Sequence, residues 1–204
     1  MKERAPGGAV VLAGPDGTGK SSIVTWMKLE MGTDRVVYMW GRPAVLPRRS
    51  PEGTGDDTRP HDHRLYGRAV SWAKLLYVFL DYQLGWLGRV WPHSRRGGIT
   101  MIDRGWYDMA VDEKRYRLRV PPRVIEVLAR FIPKPKLVVV RHASSNVILQ
   151  RKGDLSADEI ERQTARWREV VPARVPRVFI DASKPLDQVA ATVKQELRSR
   201  RIAP

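Results

Sequence analysis

The chain contains no cysteine among its 204 residues. Disulfide frameworks, cysteine-based zinc sites, iron–sulfur clusters and thiol nucleophiles are therefore excluded, and nothing in the composition indicates an oxidising compartment. The seven tryptophans are too dispersed along the chain to form a stacking platform for single-stranded nucleic acid. A nucleic-acid partner is therefore not favoured.

An uninterrupted hydrophobic run of membrane-spanning length is also missing. The most apolar segment, residues 72–90, is interrupted by Lys74, Asp81 and Arg89, and charges near the centre of a bilayer are costly. We interpret this segment as a buried or partner-packing helix, with a membrane-surface helix as the alternative. Residues 1–8 are too short and polar for a signal peptide, so we expect a cytoplasmic protein.

Acidic residues are few relative to basic ones, with 22 Asp and Glu against 37 Lys and Arg, which gives a net charge of +15. Such an excess favours anionic partners, which are nucleic acid, a phospholipid surface or phosphorylated small molecules. A merely solvated basic surface explains the same excess. The hydrophobic share of 42% and the charged share of 29% are those of a globular protein, and we expect a single domain over residues 1–204.

Short apolar runs alternate with segments of helical periodicity, which predicts a three-layer α/β fold with a parallel sheet flanked by helices. Ser156 and Glu159 form a capping box that opens one of these helices. Apolar residues at helical spacing also mark residues 124–131 and 186–197. The five predicted strands are residues 9–13, 36–40, 99–103, 137–141 and 177–181.

A glycine-rich segment directly after the first predicted strand matches the pattern G-x-x-x-x-G-K-[ST]. Such a loop curls so that its backbone amides converge on phosphate oxygens, and the helix that follows adds its positive end. Lys20 is expected to reach the β- and γ-phosphates of ATP, and the Ser21 hydroxyl to bind Mg²⁺. The predicted ATP-binding residues of this segment are Gly14, Asp16, Gly17, Thr18, Gly19, Lys20, Ser21 and Ser22.

Asp103 and Arg104 follow another predicted strand. In P-loop folds, a carboxylate on a strand beside the first one orders the metal or its waters, so Asp103 is the second predicted Mg²⁺ ligand. The guanidinium of Arg104 is placed to hold a second anion.

Two further segments lie outside the predicted strands and helices. Residues 41–63 form a predicted long loop that is either mobile or functional. Residues 150–156 contain Arg151 and Lys152 before a turn, which indicates a basic lid over the phosphates. His61 and His63 flank Asp62 in the long loop, and we interpret them as solvated rather than as zinc ligands.

Taken together, the GPDGTGKS loop, Asp103-Arg104, Arg151-Lys152 and Asp181-Ala182-Ser183 resemble the thymidylate-kinase-like group of nucleoside monophosphate kinases. The resemblance extends from about residue 9 to about residue 197. It implies a five-stranded parallel sheet with the P-loop strand at its centre. It also implies Mg²⁺-dependent transfer of the γ-phosphoryl group of ATP to an acceptor, and dimers that pair through helices.

The resemblance also assigns roles to matching positions. Lys20, Asp103, Arg104 and Arg151 become the catalytic set, with Arg151 on the lid, and Ala182 lies beside the adenine. Asp16 matches an acid that contacts the acceptor hydroxyl, and Arg42 an arginine that holds the acceptor phosphate. The predicted acceptor-binding residues are Asp16, Arg42, Arg68, Arg104, Tyr107 and Asp108; for Arg68 a solvated position is an equal alternative, and for Asp108 a helix-starting carboxylate without chemistry is the alternative.

The base-pocket motif of thymidylate kinases is not present here, since residues 108–112 read Asp-Met-Ala-Val-Asp. Residues 103–117, together with Trp40-Gly41-Arg42-Pro43, resemble instead a subgroup of thymidylate-kinase-like proteins associated with surface-polysaccharide biosynthesis. A nucleoside monophosphate such as dTMP is the leading acceptor hypothesis. The alternatives are a kinase of a sugar or lipid-linked glycan and a non-catalytic P-loop protein that binds nucleotide or nucleic acid. If the acceptor atom is a hydroxyl, Asp16 or Asp108 is the candidate base.

Overall fold

Five parallel strands form one sheet in the computed structural model, which describes residues 7–47, 64–151 and 155–203. The strand order is β2-β3-β1-β4-β5, so the strand before the P-loop is central. The predicted five-stranded parallel sheet is confirmed, and β1 and β4 are each one residue longer than expected. The strands are β1 (Gly8–Ala13), β2 (Val36–Trp40), β3 (Ile99–Asp103), β4 (Leu137–His142) and β5 (Arg177–Asp181).

Helices connect the strands and cover both faces of the sheet. A π-helical turn over Trp86–Val90 joins the second helix to the third. The helices of the described residues are α1 (Lys20–Met31), α2 (Arg68–Gly85), α3 (Trp91–Arg95), α4 (Asp108–Val111), α5 (Glu113–Tyr116), α6 (Pro122–Leu128), α7 (Ser145–Arg151), α8 (Ala157–Val170) and α9 (Leu186–Ser199).

The central strand β1 is buried on both faces, as a parallel sheet between two helical layers requires. Its side chains alternate, with Val10 and Leu12 packed into the layer that contains α1 and α9. Ala9, Val11 and Ala13 point into the opposite layer, with α2 and α8. This three-layer arrangement brings the carboxyl ends of β1 and β3 to one edge, where ligands of open α/β sheets bind.

Two of the helical predictions have different outcomes. Ser156 caps α8 by accepting a hydrogen bond from the amide of Glu159, as predicted. The expected apolar face of residues 124–131 is confirmed only in part. Val124 and Leu128 pack against the core, but α6 ends at Leu128 and buries Ile125, while Phe131 is 66% exposed. Because α6 ends three residues before Phe131, the predicted stripe does not continue on one helical face, and Ile125 is the one buried side chain of this helix.

The apolar segment from Trp72 onwards is helical, and its two faces have different environments. Leu75, Val78 and Tyr82 are buried against the sheet. Six large apolar residues on the other face, hereafter the apolar stripe, follow one another at helical spacing. The part of the chain that the structure describes contains no helix long and apolar enough to cross a membrane. The stripe consists of Trp72, Leu76, Leu80, Leu84, Leu87 and Trp91, each 48–62% exposed.

Candidate phosphate-binding site

The glycine-rich loop runs from the end of β1 directly into α1. Gly14 has φ 121°, and a Cβ at this position would lie 2.1 Å from the carbonyl oxygen of Arg141. Only glycine therefore fits where the loop passes β4. Thr18 is fully buried and donates to the carbonyl of Pro15 at 2.8 Å, which closes the loop into the compact turn that a phosphate cradle needs.

Lys20 lies across this loop. Its Nζ donates to the carbonyls of Gly14 at 2.9 Å and Pro15 at 3.1 Å, and lies 3.7 Å from the carboxylate of Asp16. Burial lowers the pKa of Lys20, and the negative charge of Asp103 opposes that shift. The ammonium is thus held inside the cradle, at the position from which it can reach phosphate oxygens.

Asp103 is the last residue of β3 and lies beside β1, where it pairs in register with Leu12. The phenol of Tyr38 donates to its Oδ2 at 3.0 Å. Its Oδ1 is buried and has no hydrogen-bond partner among the described residues. Burial, and then the charge of Asp103, raise the pKa of Tyr38, so the phenol keeps its proton and remains a donor.

The residues present fit a magnesium ion. Hard cations prefer carboxylate and hydroxyl oxygens. Oδ1 of Asp103 is a buried oxygen that no described donor satisfies, and Ser21 is exposed at the start of α1. The described residues hold no cluster of three or more His, Cys, Asp or Glu placed to bind a metal, so an ion held here would take most of its ligands from nucleotide and water.

Asp16 lies between two arginines. Arg104 has a left-handed backbone, with φ 64°, and its guanidinium forms an ion pair with Oδ1 of Asp16. Arg115 reaches Oδ2 at 2.5 Å and also pairs with Asp112 at 3.2 Å. Burial acts to lower the pKa of Arg104, but the charge of Asp16 leads the effects that raise it above its usual value. Asp16 thus joins the P-loop to the segment that follows β3.

Asp108 opens α4 and is only 4% exposed. In the described structure, no hydrogen-bond donor reaches its Oδ2. Burial raises the pKa of Asp108 to about 8, although the positive charges of Arg104 and Lys20 lower it. An acid in this environment retains a proton at neutral pH until a ligand or ion changes the local charge.

Trp106 holds the segment between Arg104 and Asp108 in place. It is 1% exposed, donates its indole N–H to the carbonyl of Ile125 at 2.9 Å, and contacts Phe79 and Tyr82 edge to face at 5.7 and 5.8 Å. Such aromatic contacts add about 0.5–1.5 kcal/mol each beyond area burial. Arg104 and Asp108 are therefore placed by a packed core.

The other predicted site residues lie in different environments. Arg42 forms an ion pair with Asp81 of α2. Arg68 is exposed at the first position of α2, and Tyr107 is buried. Ala182 is buried directly after β5. Their assigned roles remain predictions, as does that of Ser22, which is exposed on α1.

Parts of the two predicted irregular segments are outside the described residues. Arg151 is the last residue of α7, and residues 152–154 of the predicted lid lie outside the description. The same holds for residues 48–63 of the predicted long loop, including His61 and His63. The described residues 41–47 of that loop pack on α2 through Asp81.

Several residues of the site were not predicted. Tyr38 contacts Asp103 across 65 positions of sequence, and Arg115 contacts Asp16 across 99. Arg141, buried at the end of β4, places its guanidinium next to Gly19 of the P-loop. The one sequence signal for Tyr38 was its position on a predicted strand. No neighbouring residue in the sequence indicates a role for Arg115.

Solved structures of two thymidylate kinases resemble this chain over almost its whole length. The enzyme from Candida albicans gives a TM-score of 0.65 at 14% sequence identity, covering 96% of this chain and 93% of the other. The chain has a thymidylate-kinase-like P-loop fold. The enzyme from Ehrlichia chaffeensis gives a TM-score of 0.60 at 12% identity, covering 93% and 97%.

The resemblance in sequence motifs and the resemblance in structure thus agree on a thymidylate-kinase-like fold. No protein-family model and no curated protein sequence matches the chain. At 12–14% identity the structural comparison establishes the fold alone, so the chemistry has to be argued from the residues of this site.

Proposed function

We propose that this protein transfers the γ-phosphoryl group of ATP to a small-molecule acceptor in a Mg²⁺-dependent reaction. The observation that carries the proposal is the juxtaposition at one sheet edge of the P-loop, its buried Lys20 and the carboxylate of Asp103. Phosphoryl transfer needs mainly positioning and charge neutralisation, and this edge offers both.

Each residue has a distinct task in this proposal. The loop amides from Gly14 to Lys20 cradle the phosphates, and Lys20 leaves the loop carbonyls to contact the β- and γ-phosphates. Arg104 neutralises charge that develops during transfer. Asp103 and Ser21 would hold Mg²⁺, which supplies charge neutralisation between the phosphates when it is bound.

The direct test is calorimetric titration with ATP in the presence and absence of Mg²⁺, followed by an ADP-release assay with an acceptor panel. Binding of ATP and acceptor-stimulated ADP release are expected, with dTMP as the first compound. A protein that binds no ATP, or that binds DNA or RNA with strong salt dependence and shows no acceptor stimulation, would contradict the proposal.

Replacement of Tyr38 by phenylalanine tests the support of Asp103. Without the phenol, the Oδ2 that receives it at 3.0 Å loses its donor, and the carboxylate is free to rotate. Loss of such supporting hydrogen bonds typically weakens metal affinity by about 10–100-fold. We expect the Mg²⁺ concentration for half-maximal ATP binding to rise by about tenfold, with Mg²⁺-free ATP binding unchanged.

Tyr77→Phe is the matched control, because the phenol of Tyr77 donates to the carbonyl of Pro47 and not to Asp103. Its Mg²⁺ dependence is expected to equal that of the wild type. If Tyr38→Phe also leaves the Mg²⁺ dependence unchanged, Asp103 does not act through this phenol.

We also infer that two copies of the chain pair through the apolar stripe. Within the described residues, its six side chains are each 48–62% exposed, and they follow one another over roughly 30 Å at 1.5 Å per residue. On soluble proteins, large exposed apolar patches of this kind mark interaction sites. A symmetric pair buries the same patch of both copies.

Leu80→Glu is expected to convert a dimer into a monomer in sedimentation velocity, because it places a charge in the middle of the stripe, where Leu80 is 50% exposed. Leu29→Glu is the control, since Leu29 is 81% exposed on α1 and lies outside the stripe. A wild type that sediments as a monomer at high concentration would contradict this pairing.

A further inference from the structure

Arg115 connects α5 to the P-loop through its guanidinium. Its Nη2 donates to Oδ2 of Asp16 at 2.5 Å, and its Nε donates to Oδ2 of Asp112 at 3.2 Å. The side chains of Arg115 and Asp16 are 15% and 13% exposed. Solvent and salt therefore screen this contact less than a surface ion pair, so it can fix the positions of both groups.

Asp16 offers one carboxylate oxygen to each of two arginines. Arg104 forms an ion pair with Oδ1, and Arg115 forms one with Oδ2. The torsion that turns an aspartate carboxylate is broad when nothing restrains it. One arginine fixes one oxygen and leaves this rotation open, whereas two arginines on different segments fix the plane of the carboxylate. Arg115 thereby sets the direction in which Asp16 presents Oδ1 to Arg104.

The helix that carries Arg115 is itself anchored at both ends. Asp112 caps α5 by accepting the amide of Arg115 at 3.3 Å. At the other end, the carbonyl of Tyr116 accepts a hydrogen bond from Nζ of Lys74 on α2 at 2.9 Å. The guanidinium thus reaches Asp16 from a helix held by its neighbours, and such support is what keeps a site in one geometry.

Arg104 is the residue whose orientation depends on this arrangement. Its backbone is left-handed, with φ 64°, a conformation that a non-glycine residue keeps only where its surroundings hold it. Its amide donates to the carbonyl of Leu12 at 3.2 Å, and its Nη2 pairs with Asp16. A guanidinium has five N–H groups, so those that Asp16 does not take are left for phosphate oxygens. Asp16 sets where they point.

We propose that Arg115 is a positioning residue for phosphoryl transfer, which acts through Asp16 to orient Arg104 toward the transferring phosphate; this inference rests on the function proposed above. Arg115 itself contacts neither substrate. Its loss leaves Arg104 charged but free to turn, and a misplacement of about 1 Å can lower a rate by about 10²-fold. The loss falls on kcat, because Arg104 acts on charge that develops during transfer.

The orientation of Arg104 can be measured without any acceptor, by ¹⁵N NMR of arginine side chains in the nucleotide-free protein. A guanidinium held by a carboxylate rotates slowly and gives resolved Nη signals, whereas a free one gives an averaged signal. The Arg104 signals, assigned by their loss in Arg104→Lys, are expected to be resolved in the wild type and averaged in Arg115→Ala. Resolved signals in Arg115→Ala, or averaged signals already in the wild type, overturn the inference.

The kinetic test compares Arg115→Ala and Arg115→Lys in the ADP-release assay. Both are expected to lower kcat by about 10–100-fold and to change KM for ATP by less than about threefold. Lysine keeps the charge, but its single nitrogen cannot reproduce the separate contacts of Nη2 with Asp16 and Nε with Asp112. Lys114→Ala, at an exposed position of the same helix, is the matched control and should keep the wild-type kcat.

Two kinetic outcomes overturn the positioning role. Wild-type kcat in Arg115→Lys would show that the charge alone matters. A higher KM for the acceptor with unchanged kcat in Arg115→Ala would show that Arg115 contacts the acceptor directly.

A double-mutant cycle separates action through Asp16 from a general effect on structure. In the Asp16→Asn background, Arg115→Ala is expected to change kcat by less than about threefold, because the carboxylate that it orients is already gone. Equal losses in both backgrounds overturn the inference. A wild type that binds no ATP removes the proposed function itself, whereas transfer that is independent of Arg115 removes this inference alone.

Discussion

Lys20→Met is expected to lower kcat for phosphoryl transfer by roughly 10³-fold, the upper end of the loss seen when one charge-stabilising donor is removed. The reason is geometric. Nζ of Lys20 lies inside the loop, at 2.9 Å from the carbonyl of Gly14 and 3.1 Å from that of Pro15. Among the described residues no other cation donates to these two carbonyls, so the variant leaves the loop without its ammonium.

The same variant is expected to fold, because methionine is close to lysine in length and burial already lowers the pKa of the ammonium. The measurement is kcat in the ADP-release assay, together with the thermal midpoint and the ATP dissociation constant. Lys28→Met, in the last turn of the same helix, is the control. A Lys20→Met protein that folds and keeps more than a tenth of the wild-type kcat would show that Lys20 contacts no transferring phosphate.

Features that rest on consecutive residues were predictable from the sequence, whereas contacts between distant residues were not. The strands and the P-loop were predictable, because apolar runs and a glycine pattern occupy consecutive positions. The partners of Asp16 and Asp103 were not, since Arg115 lies 99 positions from Asp16 and Tyr38 lies 65 positions from Asp103. Such contacts arise from strand order, which no single segment encodes.

Asp81 shows a different kind of limit. In the sequence it is one of the charges that interrupt an apolar segment, where it counts against a membrane span but identifies no partner. In the structure it is completely buried and holds the chain that follows β2 onto α2. A charge in an apolar helix indicates a buried partner, but its identity depends on the loop that packs there.

The second large effect is expected from Asp81→Ala. The carboxylate accepts the amides of Val45 at 2.9 Å and Leu46 at 2.8 Å through Oδ1, and pairs with Arg42 through Oδ2. Its removal leaves two amides and a guanidinium without their acceptor. Breaking a buried pair from one side costs about 3–5 kcal/mol, and each kcal/mol shifts the midpoint by about 2–4 °C at this size. We expect the thermal midpoint to fall by roughly 10 °C.

Residues 41–46 pack closely on α2, so this loop has little room to rearrange when the Asp81 carboxylate is removed. The carbonyl of Pro43 lies so near α2 that a Cβ at Gly85 would come within 1.3 Å of it. Arg89 donates to the carbonyl of Ala44 at 2.7 Å, and Gly41 donates to the carbonyl of Asp103 at 2.7 Å. Displacement of this loop would therefore reach the strand end that carries the predicted metal ligand.

The pH dependence of the unfolding free energy shows whether the Asp81 carboxylate causes the lower stability of Asp81→Ala. Burial acts to raise the pKa of Asp81, but hydrogen bonds from Leu46, Arg42 and Val45 outweigh it and hold the pKa below its usual value of 3.8. The folded protein therefore binds this proton less readily than the unfolded chain, so the stabilisation is complete above pH of about 4 and is lost as pH falls through the lowered pKa. We expect the difference in unfolding free energy between wild type and Asp81→Ala to be constant from pH 5 to 8 and to shrink below pH 4.

A double-mutant cycle with Arg42→Ala separates the ion pair from the amide contacts. If the pair matters, Arg42→Ala costs less in the Asp81→Ala background than in the wild type, because its partner is already gone. An exposed control, Asp187→Ala, is expected to change the midpoint by less than 2 °C. Equal costs of Arg42→Ala in both backgrounds would mean that the ion pair adds nothing to stability and that the cost of Asp81→Ala comes from the two amides.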